Sequence, residues 1–530
     1  MLDWLIQNAQ IVDGEGGAPY RADLGIQSGS IAAVGNLSGA EAHCTLDAAG
    51  RCLTPGFIDI HRHGDAALFR PHYGDAELAQ GLTTVINGNC GLSLAPVTGP
   101  HRMEILRYLT PITGEIPAGR EFSSLSDYFR QAGQVSLALN VGMLAGMGTL
   151  RANVAGFADG ELDKGQYRQL HALLETSLTD GALGVSLGLG YAPECFYTTG
   201  QLIRALAPLR QSGQVITVHM RQEGDGVADA LREMIDVARA LRTPVEISHL
   251  KAIGRRNWHR AVPEMLACIA GARDEGLEVT CDVYPYTAGS TQLIHVLPPE
   301  FQIGGTESLS RALANDAAAR AEMRRRMETG TDFENISDLT GFENIRATTL
   351  HLPENRRFEG KSIAEIAQVL GKDPFDTLFD LLAEEHSTVS MIDFITNEDD
   401  IAEILRAPFS GVISDATYPT SGLLHPRVYG TFPRLIETYV RKRQVLSLPE
   451  AVRKVTRLPA ERFQLTRKGR IAPGADADLC MFRPENLRET GDYSNPARCA
   501  SGMDFVFVGG VPAIENGQRT NRMSGTLLIR

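Results

Sequence analysis

Short apolar runs alternate with amphipathic stretches through the middle of the chain. "LTTVING", "ALNVGML", "GALGVSLGLG", "QVITVHM", "PVEISHL", "EVTCDVYPY" and "FSGVISD" have the length and β-branched content of buried strands. "GQYRQLHALLETSLTDG", "GVADALREMIDVARALRT" and "AVPEMLACIAGARDEG" carry apolar residues at helical spacing. This rhythm across residues 56–465 predicts an α/β fold of parallel βα units, closing as a TIM-like (β/α)8 barrel. Residues 292–370 break the rhythm with charged sequence ("RAEMRRRMETGTDFENISD") and read as an insertion near the barrel mouth. The ends have a different texture. Residues 1–55 and 466–530 alternate Val, Ile and Leu with polar residues, punctuated by Gly and Asp-Gly. Together the two ends are predicted to form one small β-sandwich domain.

Composition narrows the functional classes. A chain of 530 residues exceeds one simple core, which agrees with a large domain plus a smaller one. The net charge of -13 offers no basic excess for nucleic acid or an anionic membrane surface. An anionic small molecule remains a suitable partner, because a local cluster of Arg and Lys serves it. The first residues, "MLDWLIQNAQIVDGEGG", show no signal-peptide pattern, and no apolar run reaches the roughly 20 residues that span a bilayer. The eight cysteines form no CxxC pair, so reduced thiols and a cytoplasmic location are expected, as monomer or homo-oligomer.

The chemistry sits at predicted strand ends. Residues i and i+2 share a face of a strand, so "GFIDIHRHGD" places Phe57, Asp59, His61 and His63 on one side, with Ile58, Ile60 and Arg62 on the other. A lone HxH is more often an ordinary pair of histidines at a corner. Here "ITVHMR" ends a strand at His219, "EISHLK" at His249 and "GVISDA" at Asp415. Four of 13 histidines thus fall at strand ends, where a barrel of this type holds its active site. No lysine that might bridge two metals lies on a predicted strand between Cys90 and His219. Cys90, at a tight turn in "TVINGNCGLSLAP", is the candidate instead. Cys, His and carboxylate donors together favour Zn²⁺, one or two per chain. Zinc acidifies a bound water and polarises a carbonyl, and Asp415 can move the proton to a leaving nitrogen. That is hydrolysis of an amide or related C–N bond.

At these residues the chain resembles the amidohydrolase superfamily and, within it, the D-aminoacylase (N-acyl-D-amino-acid deacylase) family. The resemblance runs through "PGFIDIHRHGD", "GLTTVINGNCGLSLAP", "VHMRQEGDGV", "EISHLKAIGRRNW", "DVYPYTAGST", "HPRVYGTFPR" and "GRIAPGADADL". It implies Cys90, His219 and His249 as ligands of a tighter zinc, with His61, His63 and Asp415 at a second position. It implies Asp415 as general acid/base and Lys251, Tyr284, Ser290 and Arg427 as the grip on a substrate α-carboxylate. Selectivity for the D form is implied by the resemblance alone. Two stretches depart from the family pattern: "HRHGD", where HTHDD is usual, and the apolar loop "ATYPTSGLLHPR". Both are expected near the mouth of the site. A hydantoinase- or dihydroorotase-like cyclic amidase is the near alternative, and a non-catalytic metal-binding barrel the distant one.

Overall fold

The computed structural model describes all residues 1–530, and strands form where the apolar runs lie. Ala145–Gly146, Gly184–Gly188, Val215–His219, Val245–Ile247, Val279–Val283 and Ser410–Val412 pair in that order, all parallel. Phe57–Asp59, Leu82–Asn87 and Asn140–Met143 form a second parallel sheet, extended by the short C-terminal strand Leu527–Leu528. Two features connect these sheets. Asn140–Met143 leads into Ala145–Gly146 with only Leu144 between, and Arg62 bridges Ala416 in parallel.

The strands read as continuous apolar runs because both of their faces are buried. One face meets the helices. Val227–Leu241, for example, turns Val227, Leu231, Met234, Ala238 and Leu241 inward, at the spacing of one helical stripe. Lys164–Thr179 starts on a capping box in which Asp163 accepts from the Gly165 and Gln166 amides. The other face forms a separate cluster containing Ile58, Ile60, Ile86, Leu144, Leu183, Val215 and Ile413. This reverses the alternation expected for the first strand. Ile58 and Ile60 join that inner cluster, while Phe57 stacks on Phe432 and meets Phe482 edge-on. Regular strand structure stops at Asp59, so a period of two cannot be carried on to His61.

Both termini build one nine-stranded sheet. Cys52–Pro55, from the N-terminal part, pairs antiparallel with Leu479–Phe482, from the C-terminal part, and so joins the halves. Its core holds Ile6, Ile11, Leu24, Leu53, Leu479 and Phe505. The interrupting segment is an antiparallel sheet of Ala288–Gln292, Ser390–Phe394 and Ile345–Ala347 with its own helices, reaching past 292–370 at both ends. All eight cysteines are free thiols, and no helix is long and apolar enough to cross a membrane.

Candidate metal centre

The C-terminal ends of the parallel strands bring six buried side chains together. His61 and His63 follow Phe57–Asp59, and Cys90 follows Leu82–Asn87. His219 closes its own strand, His249 follows Val245–Ile247, and Asp415 follows Ser410–Val412. Cys90, His249 and Asp415 have φ of 54°, 39° and 53°. That left-handed region is costly for residues with a Cβ, and a fold keeps it only where the surroundings enforce it.

Two donor sets share Cys90. His61, His63, Cys90 and Asp415 form one, and Cys90, His219 and His249 the other, each with its ligand atoms within 4.8 Å of one another. His61 Nε2 lies 3.2 Å from Cys90 Sγ, and His249 Nε2 lies 3.6 Å from it. His219 Nδ1 faces His249 Nε2 at 3.2 Å. Asp415 Oδ1 is 3.4 Å from His61 Nε2 and 3.3 Å from His63 Nε2.

The donor chemistry fits a divalent cation. Burial pushes His219 and His249 well below the usual histidine range, so both are neutral and present lone pairs. Burial pushes the Cys90 thiol well above its usual value, with Asp415 and Glu223 adding to the effect. A cation against the sulfur is what would favour its thiolate. Burial would raise the Asp415 carboxyl too, but Arg427, His61 and His63 hold it well below the usual carboxylate range. Thiolate, imidazole and carboxylate in one buried site are the ligands of zinc.

Around this set lies a cavity lined by His63, Cys90, His219, His249 and Asp415 at its metal end and by Lys251, Tyr284 and Ser290 beside them. The Lys251 ammonium sits over the Tyr284 ring at 5.7 Å, and Arg427 sits over the same ring at 4.9 Å. Arg427 is fully buried and turned to Asp415, with Nη1 3.0 Å from Oδ2, and it donates to the Ser290 carbonyl at 2.9 Å. It does not line the cavity wall in this state.

A full-length comparison places this arrangement among known proteins. The chain is 31% identical over 528 residues to the D-aminoacylase of Alcaligenes xylosoxydans xylosoxydans, covering 100% of this chain and 98% of the relative. This chain belongs to the D-aminoacylase family. The model of the amidohydrolase family matches residues 310–501. Among D-aminoacylase-family structures, the N-acyl-D-glutamate deacylase of Bordetella bronchiseptica, complexed with zinc and a phosphonate that mimics the tetrahedral intermediate, superposes with a TM-score of 0.84. It is 29% identical, with 100% of both chains covered. A D-aminoacylase described as having a binuclear metal centre, activated by one metal and attenuated by a second, gives a TM-score of 0.83 at 30% identity, again over 100% of both chains.

Against that family background the two departures become a single structural feature. Arg62 of "HRHGD" is fully buried and points away from the donors. It pairs with Asp59 at 3.1 Å and Glu77 at 2.8 Å, and donates to the hydroxyl of Tyr418 from the "ATYPTSGLL" loop. The two unusual stretches therefore contact each other through Arg62 and Tyr418, while His63 of the first and Thr417 of the second line the cavity. Asp65 accepts from the Gly88 amide at 3.3 Å and the Leu94 amide at 3.1 Å, which ties down the loop carrying Cys90. Sequence reasoning missed Glu223. Its Oε1 meets His249 Nδ1 at 2.9 Å and its Oε2 accepts from Lys251 Nζ at 2.6 Å, so Nε2 of His249 is left facing the donors. A glutamate four residues after a strand-end histidine was the available signal. Tyr191, His295 and Asp393 also line the cavity and were not singled out.

Proposed function

We propose that the protein hydrolyses the amide bond of N-acyl-D-amino acids, with zinc as its metal, releasing a carboxylate and the free D-amino acid. The observation that carries the reading is the placement of Asp415 between the two donor histidines and the buried Arg427. One carboxylate oxygen faces His61 and His63 and the other faces Arg427. In this reading Cys90, His219 and His249 hold one zinc, and His61, His63, Cys90 and Asp415 line the second position. Bound zinc would supply Lewis acidity toward water and the scissile carbonyl.

The rest is assigned to the chain's own side chains. Ionised Asp415 accepts the proton of the attacking water and returns it to the leaving amine nitrogen. Lys251, Tyr284 and Ser290 receive the α-carboxylate, and Arg427 joins them by exchanging part of its ion pair with Asp415 for the substrate. Losing that partner raises the basicity of Asp415 when the substrate is in place. Glu223 keeps the His249 ring in the donor tautomer. For the fold, we read the two parallel sheets as one ring of eight strands, joined through Leu144 and the Arg62–Ala416 bridge, and the terminal sheet as the sandwich domain.

Lys251, held by Glu223, leaves the two donor sets without a bridging lysine, which favours this reading over a cyclic amidase. Amine release from paired N-acetyl-D- and N-acetyl-L-amino acids, with zinc-loaded protein, tests it. Turnover of the D forms alone is expected. Equal turnover of the L forms, or hydrolysis of hydantoins in preference to either, contradicts it.

A further inference from the structure

The cavity holds an acid that the deacylase reading leaves without a task. Asp393 lies on Ser390–Phe394 of the inserted sheet, 3% exposed, and lines the cavity with its Oδ1 lacking any hydrogen-bond partner. Its cross-strand neighbour is Gly289. A Cβ added there would come within 2.8 Å of Asp393 Oδ1 and 3.4 Å of the Tyr284 hydroxyl. Glycine at that position therefore leaves room for the carboxylate beside the group assigned to the α-carboxylate. A buried acceptor without a partner is costly, and functional sites are where such atoms are kept.

The charges around it define what would satisfy it. His295, Lys251 and Arg427 face Asp393, but each has its own acid: Glu334 at 3.3 Å from His295, Glu223 on Lys251 and Asp415 on Arg427. Lys251 is the only Lys or Arg in the cavity lining. A side-chain carboxylate on the substrate would find no free cation and would meet Asp393. The apolar part of the wall, Leu92, Ile112, Ile253, Ile336 and Ile395, suits a methylene stem. Burial pushes the Asp393 carboxyl up to about 6, which still leaves it mostly ionised at neutral pH and open to a cation.

We propose that Asp393 recognises the substrate side chain, and that the preferred substrates are N-acyl-D-amino acids whose side chain ends in a cation, of the lysine or arginine type. The proposal rests on the deacylase reading and deepens it. Charge-assisted pairing in a buried site gives its expected size, about 10- to 100-fold in preference.

The test is kcat/KM of the zinc-loaded enzyme on N-acetyl derivatives of D-lysine, D-arginine, D-leucine and D-glutamate, repeated with Asp393→Asn. Lysine and arginine are expected to exceed glutamate by about 100-fold, and the lysine-to-leucine ratio to fall at least about 10-fold in the variant. Glutamate matching lysine overturns the proposal, as does an unchanged lysine-to-leucine ratio. If Asp393→Asn does not fold, the wild-type order decides alone. Turnover with the wrong order sinks only this inference, whereas no turnover of any D substrate sinks the deacylase reading beneath it.

Discussion

The two ends of the same parallel strands are both rich in buried polar groups, yet they treat them in opposite ways. At the N-terminal ends the groups satisfy one another. Glu246 pairs with Arg462 at 3.3 Å and accepts from the Thr280 hydroxyl. Lys454 Nζ donates to the carbonyls of Ala407 at 2.6 Å and Ser410 at 2.9 Å, and to the Ser410 hydroxyl at 3.0 Å. At the C-terminal ends His61 Nδ1, His63 Nδ1 and His219 Nε2 have no partner, and three donor residues sit in left-handed backbone; Asp393 Oδ1, on the inserted sheet beside the same cavity, has none either. A closed hydrogen-bond set serves stability. An open set held in strained geometry is reserved for ligands the protein must bind.

The contrast can be broken by substitution at either end. Asp415→Asn should lower kcat/KM by about 100- to 10,000-fold while leaving the melting temperature near wild type, because the amide keeps the shape but cannot move a proton. Steady-state kinetics and thermal unfolding side by side check this, and a variant with half the wild-type rate would remove Asp415 from the chemistry. Glu223→Gln should weaken zinc about 10- to 100-fold, read by competition with a chromogenic chelator, since the His249 ring loses its anionic partner. Lys454→Met should do the reverse. Three buried acceptors lose their donor, so stability falls by about 1–3 kcal/mol while kcat/KM stays at the wild-type value. A rate loss without a stability loss would erase the distinction between the ends.

The smallest effect sharpens the comparison within the site end. Glu194 accepts from the Gly188 amide at 2.9 Å beneath the Cys90 loop, and burial pushes its carboxyl up to about 8 from its ordinary 4.5. A raised pKa contributes stability that is complete below 4.5 and is lost as pH climbs through 8. Glu194→Gln keeps the acceptor and never ionises. Its melting temperature relative to wild type should therefore rise from about pH 5 to about pH 8 and level off above, and a flat difference would show that Glu194 is already ionised in the fold.

How much of this could be read from the chain follows from the same physics. Strands buried on both faces are visible as unbroken apolar runs, and donors at their ends stand out because histidine and cysteine have no packing reason to recur there. The convergence of these six side chains was legible for that reason. The phase of the first strand was not, because Asp59 ends the pairing and alternation predicts nothing beyond it. Nor was the role of Arg62, which depends on Tyr418, 356 residues away. Glu223 and Asp393 were hidden because a single acid in a turn or a strand carries no spacing signal. Only the fold shows that one meets His249 and the other meets nothing.

The account turns on one claim, that the donors sharing Cys90 make the protein a metal-dependent deacylase. Titrating zinc into metal-free protein while following amine release from N-acetyl-D-lysine, with Cys90→Ser in parallel, tests it most directly. The account predicts no turnover without metal, activity that rises with added zinc in the wild type, and none at any zinc level in the variant. Full activity in the metal-free protein, or equal activation of Cys90→Ser, would contradict it.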